Sequence, residues 1–310
     1  RVLISGSIAY DNIMVFEGQF RDHILPDRVH MLNVSFLTPS LKREFGGCAA
    51  NIAYTLRGLG GEPVVLATVG RDADDYLSRF DGLSLDRSHV LQLDDCYTAQ
   101  CFITTDLADN QITAFHPGAM THAHRVSATA ALPAAFGIVA PNGKEAMVQH
   151  ARELAEARVP FIFDPGQGLP MFDGAELRAL IGSASAVAVN DYESSLLCDR
   201  TGWREEEIAA QLDALIVTRG AQGAQVWSGG SSTRIPAVAA HRTVDPTGCG
   251  DAFRGGLLYG IAQGWDWIES ARLGSVLGAM KIECQGPQNH VVDRETVAAR
   301  FTQAWGRRPW

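Results

Sequence analysis

Short apolar runs recur along this chain, and helix-forming stretches lie between several of them. The runs are Val2-Leu3-Ile4-Ser5-Gly6-Ser7 and residues 63–69, 136–140, 159–164, 186–190 and 215–218. Each is too short for an ordinary helix and reads as a buried strand. Stretches rich in Ala, Glu, Leu and Arg occupy residues 49–59, 146–157 and 205–214, the first closed by Gly60, a good helix stop. Strands alternating with helices predict an α/β fold with a doubly wound, mostly parallel sheet flanked by helices. Such sheets bind ligands beyond the carboxyl ends of their strands. That rule directs attention to residues 5–11, 164–168, 190–193 and 218–223.

Two regions break the rhythm, at about residues 12–45 and 97–117. Cys101-Phe102-Ile103-Thr104-Thr105 and Gln111-Ile112-Thr113-Ala114-Phe115 carry β-branched and aromatic residues, and Asp109-Asn110 between them reads as a hairpin turn. These pieces are expected to form a small separate β-sheet assembled from two insertions. With 310 residues, one large domain with such an appendage over 1–310 is the expected organisation. Ser228-Gly229-Gly230-Ser231-Ser232 reads as a short flexible loop.

Composition narrows the function classes. The net charge of −9, without a Lys/Arg cluster, argues against a nucleic-acid surface. No apolar run approaches a membrane span, and nothing after Arg1 has the pattern of a signal peptide. The six cysteines stand singly, as in reduced cytoplasmic proteins, and suggest neither zinc nor a disulfide framework. His122 and His124 read as solvated.

Chemistry concentrates in Val244-Asp245-Pro246-Thr247-Gly248-Cys249-Gly250-Asp251-Ala252-Phe253. Three small residues precede an acid that opens an apolar, helix-like stretch. Free backbone N–H groups and the helix dipole favour an anion at such an N-terminus. An Asp there would repel a phosphate, so its economical use is as the base for a hydroxyl that attacks a phosphoryl group. The bland alternative is a tight turn with a helix cap. A second constellation, Phe45-Gly46-Gly47-Cys48-Ala49-Ala50-Asn51-Ile52-Ala53, sets two glycines before a helix, with Asn51 in its first turns. Amides and an Asn side chain can both bond sugar hydroxyls, although a close strand–helix crossing also needs glycine.

These two stretches resemble the signatures of the ribokinase-like (PfkB) carbohydrate kinases, in the family's order. The resemblance implies a β lid over the substrate, Asp251 as catalytic base and the amides of Gly248, Cys249 and Gly250 as anion hole. It implies sugar contacts from Gly46, Gly47, Asn51 and Asp11, the last taking two hydroxyls. Asn190-Asp191-Tyr192-Glu193 resembles the family motif that organises Mg²⁺ with ATP, largely through water, and is also a helix-capping pattern. Thr218, Gly220 and Gly223 match positions near the ATP phosphates and ribose, where a hairpin turn explains the glycines equally well. Asp245 and Thr247 match positions that hold a monovalent cation, K⁺ being the expected ion. Arg254 departs from the family pattern and could pair with a phosphate or a carboxylate, or face solvent. Cys249 replaces the usual Ala, and thiols at helix N-termini have lowered pKa values, so a redox-sensitive site and a small packing residue both stay open.

Within the family the chain is most similar to adenosine kinases and their bacterial relatives, through His23-Ile24-Leu25-Pro26, residues 43–54 and residues 111–120. The implied reaction is transfer of the ATP γ-phosphoryl group to the 5′-hydroxyl of adenosine. Phe36, Phe102 and Phe115 are candidates to stack on the base or to form lid core. A ribose or other furanose kinase is the alternative within the class, and a catalytically quiet ligand-binding protein the alternative outside it. The expected partners are a small nucleoside or sugar and ATP, with no nucleic acid and no membrane. The chain is expected to be a monomer or a homodimer paired through a lid edge.

Overall fold

The computed structural model describes residues 1–24, 33–108 and 110–310. Leu25 and Pro26 of the His23–Pro26 stretch, and Asp109 of the expected turn, lie outside the described residues. The strands are β1 (Val2–Ser5), β2 (Ala9–Val15), β3 (Leu41–Gly46), β4 (Pro63–Gly70), β5 (Val90–Leu93), β6 (Ala99–Thr105) and β7 (Gln111–His116). Then come β8 (Phe136–Val139), β9 (Phe161–Phe163), β10 (Ala186–Asn190), β11 (Ala214–Thr218), β12 (Ala224–Ser228) and β13 (Ser231–Ile235). The helices are α1 (Cys48–Gly58), α2 (Asp74–Gly82), α3 (Lys144–Glu156), α4 (Gly174–Ser183), α5 (Asp191–Thr201), α6 (Glu205–Ala209), α7 (Cys249–Ala262), α8 (Trp267–Ile282) and α9 (Arg294–Trp305).

Nine strands form one sheet in the order β13-β12-β11-β10-β9-β8-β1-β4-β5. It is parallel from β5 to β11, and β12 and β13 close one edge antiparallel. The strands are apolar on both faces because helices cover both. Ile4, Val65, Ile138 and Ile216 pack in one cluster with Ile52, Leu257, Val276 and Phe301 of α1, α7, α8 and α9. Their neighbours Leu3, Val64, Val139 and Val217 pack on the other face with Met147, Leu177 and Leu197 of α3, α4 and α5. Among the described residues no helix is long and apolar enough to cross a membrane.

The lid is a four-stranded sheet in the order β3-β2-β6-β7. It begins at Ala9, earlier than expected, so Asp11 sits inside a lid strand rather than in a turn after β1. Two further expectations change. The helix expected over 205–214 stops at Ala209, and Ala214 already starts β11. The loop expected at 228–232 is a tight hairpin turn in which Gly229 and Gly230 both take positive φ, and Ser231 opens β13. Two such residues in succession match the twist of the flanking strands.

Gly47 joins lid strand β3 to α1 and packs against the β1–β2 junction. Its φ is 90°, and a Cβ there would lie 2.6 Å from both the Ser7 carbonyl oxygen and the Ala9 nitrogen. Gly82 ends α2 with open space around it. Gly47→Ala is therefore expected to lower stability by at least about 1–3 kcal/mol, the range of backbone strain alone. Gly82→Ala should change it by less than about 0.5 kcal/mol. Urea unfolding of both variants checks this, and equal midpoints would refute the close approach at Gly47.

Candidate active site

Helix α7 starts at the carboxyl edge of the large sheet, with Gly248 in the left-handed conformation as its N-cap. The Cys249 N–H donates to the Pro246 carbonyl at 3.1 Å and closes a turn. The first helical bond is from Ala252 N–H to the Gly248 carbonyl, 2.9 Å. Among the described residues, the amides of Gly248, Gly250 and Asp251 carry no hydrogen bond. Of the three amides expected to face an anion, that of Cys249 is spent locally, whereas those of Gly248 and Gly250 are free, as is that of Asp251. Burial pushes the Cys249 thiol up to about 11 against the nearby Lys281 charge, so the group is a thiol, not a reactive thiolate.

Asp251 lies in the first turn of α7. Its Oδ2 accepts a hydrogen bond from Asn51 Nδ2 at 2.8 Å. A relay fixes that amide. The Arg79 guanidinium can only donate, and its Nε donates to Gln288 Oε1 at 3.1 Å. Gln288 Nε2 must then donate, and it reaches Asn51 Oδ1 at 2.9 Å and the Tyr76 hydroxyl at 2.8 Å. Asn51 is left with its NH₂ aimed at Asp251. Burial raises the Asp251 carboxyl above its ordinary range, against the Asn51 bond and the charge of Arg254. Nothing in the sequence pattern pointed to Arg79, Tyr76 or Gln288, which stand far from Asn51 along the chain.

Arg254 resolves plainly. It is buried, pairs through Nε with Asp164 Oδ2, and donates from Nη2 to Asp164 Oδ1 at 3.1 Å and to the Ala188 carbonyl at 3.2 Å. Its Nη1 donates to the Gly250 carbonyl at 3.1 Å. The partner is a carboxylate at the end of β9, one of the strand ends singled out by topology. Burial pushes Asp164 up even with the guanidinium against it.

Strand register sorts the lid residues. Asp11 is paired with Glu44 and Cys101, and Cys101 with Phe115. These four side chains share one face. Phe102 is paired with Asn12 and Ala114, so it lies on the opposite face, and its expected substrate contact is corrected. Phe36 packs against Phe16 and Phe20, ring centroids 4.9 Å apart in each case, as lid core. Phe115 keeps the Asp11 face. Gly46 is close beneath Asp11: a Cβ there would meet Asp11 Oδ2 at 2.5 Å. Burial first, then the charges of Asp251, Asp245 and Glu44, push the Asp11 carboxyl up to about 7.

The nucleotide-side candidates lie together at the ends of neighbouring strands, with Asn190 of β10 beside Thr218 of β11. Asn190 and Glu193 form a full capping box on α5: Glu193 N–H donates to Asn190 Oδ1 at 2.7 Å, and Asn190 N–H to Glu193 Oε2 at 2.8 Å. The Thr218 hydroxyl donates to the Val189 carbonyl at 3.3 Å. Gly223 is fixed by packing, since a Cβ would meet the Ile235 carbonyl at 2.0 Å, whereas Gly220 has open space. Thr247 N–H donates to Asp245 Oδ1 at 2.9 Å.

Residues 11–294 match the pfkB family carbohydrate kinases. The chain belongs to this family. It is similar to the solved structure of Burkholderia thailandensis nucleoside kinase in complex with inosine, at 56% identity over 99% of each chain and a TM-score of 0.91. The structure of that kinase in complex with ADP-inosine is 58% identical, covers 100% of this chain and 97% of its own, and has a TM-score of 0.89. The nucleoside kinase of Methanocaldococcus jannaschii is 28% identical over 275 residues, 87% of this chain and 89% of its own length. Within the family the chain is a nucleoside-kinase member, a phosphotransferase that uses ATP and an alcohol acceptor.

The charges at the site carry three predictions. Burial pushes Asp251 up and brings Asp11 to about 7; if both work ionised, kcat/KM should fall on the acid side as pH drops through the Asp11 range. A profile flat down to pH ~5, the ordinary range being near ~4, would contradict the raised carboxyls. Asp251→Asn should cut kcat by ~10² to 10⁴ with KM little changed; more than half of wild-type turnover would remove Asp251 from the chemistry. Separately, Arg254→Met leaves Asp164 buried and unpaired and should cost about 3–5 kcal/mol. The double variant with Asp164→Leu should recover part of that loss in chemical denaturation, and no recovery would count against the pair.

Proposed function

We propose that the protein transfers the γ-phosphoryl group of ATP to the 5′-hydroxyl of a purine ribonucleoside, adenosine and inosine being the first acceptors to compare. The carrying observation is the Asp251 carboxylate, oriented by Asn51 at 2.8 Å beside the unspent amides of α7 and below the Asp11 face of the lid. A hydroxyl placed there gives its proton to Asp251 as it attacks phosphorus, and the amides of Gly248, Gly250 and Asp251 take up the charge on the transferring group. Asp11 accepts two ribose hydroxyls, Gly46, Gly47 and Asn51 line the sugar, and Phe115 offers a platform for the base. The complex of the Burkholderia relative with inosine supports a purine nucleoside.

ATP lies along Asn190, Thr218, Gly220 and Gly223 in this reading. Among the described residues no three His, Cys, Asp or Glu side chains gather as a metal cage. That fits Mg²⁺, which keeps several waters and binds mainly through phosphates. Glu193 would reach it through water with the carboxylate oxygen that the capping box leaves over, and the ion would neutralise phosphate charge. The free state of all six cysteines supports a reducing, cytoplasmic setting.

The acceptor is tested by measuring kcat/KM for adenosine, inosine, cytidine and ribose under one set of conditions. Stacking of a base on an aromatic side chain is worth roughly 1–3 kcal/mol, so ribose should fall ~10- to 100-fold or more below the best purine nucleoside. Ribose equal to or better than the nucleosides would replace this reading with a sugar kinase.

A further inference from the structure

Lys281, near the end of α8, is fully buried. A buried ammonium is tolerated only when its charge and N–H groups are met. Here Nζ donates to the Asp245 carbonyl at 2.7 Å and to the Cys284 carbonyl at 3.1 Å, and it stands 3.9 Å from Asp245 Oδ2. The same segments are stitched by backbone: Val244 and Asp245 N–H groups both donate to the Ile282 carbonyl, at 2.8 and 3.2 Å. Asp245 Oδ2 accepts the Gly286 N–H at 2.8 Å and Gln285 Nε2 at 3.2 Å. Two main-chain carbonyls and one carboxylate around a single positive centre are the donor set a monovalent cation would take. The centre is close under the anion hole, since a Cβ on Gly248 would lie 3.7 Å from Lys281 Cε.

We infer that the Lys281 ammonium is the built-in cation of the anion-hole loop, and that the protein uses no K⁺ there. Asp245 does not fit an exchangeable ion, because its carbonyl is already given to a covalently tethered charge. An ammonium and K⁺ carry the same charge on similar radii, so the lysine does what a bound ion would do: it holds the 244–248 turn in the conformation that leaves the Gly248, Gly250 and Asp251 amides free. Lys281 is a positioning residue that acts through this loop and touches no reacting atom. The inference rests on phosphoryl transfer at Asp251.

The test uses the whole protein with tetramethylammonium as the sole monovalent cation and the best acceptor from the comparison above. Wild-type turnover should change less than about twofold when 100 mM-scale K⁺ or NH₄⁺ is added, a range where ~1.4 kcal/mol would already be tenfold. Lys281→Ala, checked for folding by circular dichroism, should lose at least ~10-fold in kcat and regain part of it with K⁺ or NH₄⁺ but not with tetramethylammonium. A wild type that needs K⁺ overturns the inference. So does a folded variant that is fully active without a small cation, or one whose loss no cation restores, which would mark Lys281 as packing alone. If the variant does not fold, the wild-type titration decides. A wild type inactive in every buffer would instead sink the kinase reading.

Discussion

The structure turns on the buried pairing of Arg254 with Asp164. A guanidinium taken out of water is retained only when its donors are met, and here they reach Asp164, the Ala188 carbonyl and the Gly250 carbonyl. Those partners belong to the end of β9, the strand β10 and the first turn of α7. One side chain therefore sets where the helix N-terminus stands against the sheet edge. The neighbours of that edge, Asn190 and Thr218, are fixed in turn by strand register. The start of α7 and the strand edge at Asn190 and Thr218 are thus placed by the same anchor.

Two other devices act on α7 from different directions. The relay from Arg79 through Gln288 to Asn51 sets which end of an amide meets Asp251, because a guanidinium has no acceptor to offer. Lys281 holds the loop before the helix. Together with Arg254 they surround the first turn of α7 with fixed positive charge or fixed donors, while Asp251, Asp11 and Asp164 are all raised by burial.

The fold was legible because it follows local rules, and the proposed reacting residues stand where local rules place them. Continuous apolar runs between helical stretches report strands covered on both faces, and a Gly-x-Gly before an acid reports a helix N-terminus. Phe102 failed because the face of a strand depends on its pairing, and a single-residue step in register separates it from Cys101. The capping box at Asn190 and Glu193 was visible as a pattern, but only geometry shows that both capping bonds form. Arg79, Gln288 and Lys281 act through contacts closed by the whole fold, so no spacing rule connects them to Asn51 or Asp245. Arg254 was visible as a departure from the family pattern, and the strand-end rule had already pointed to its partner.

The position of Asp11 ties specificity to the lid itself. It sits on β2, a lid strand separated from β1 by only three residues. Gly47, locked against Ser7 and Ala9, makes that junction rigid. A carboxylate at about 7 is costly to hold ionised near Asp251, and two hydroxyl donors would relieve that cost by bonding its charged form. A substrate lacking one of them would leave buried acceptor capacity unmet. With Asp11 taking two ribose hydroxyls as proposed, discrimination for a diol would come from the same crowding of carboxylates that raises Asp251.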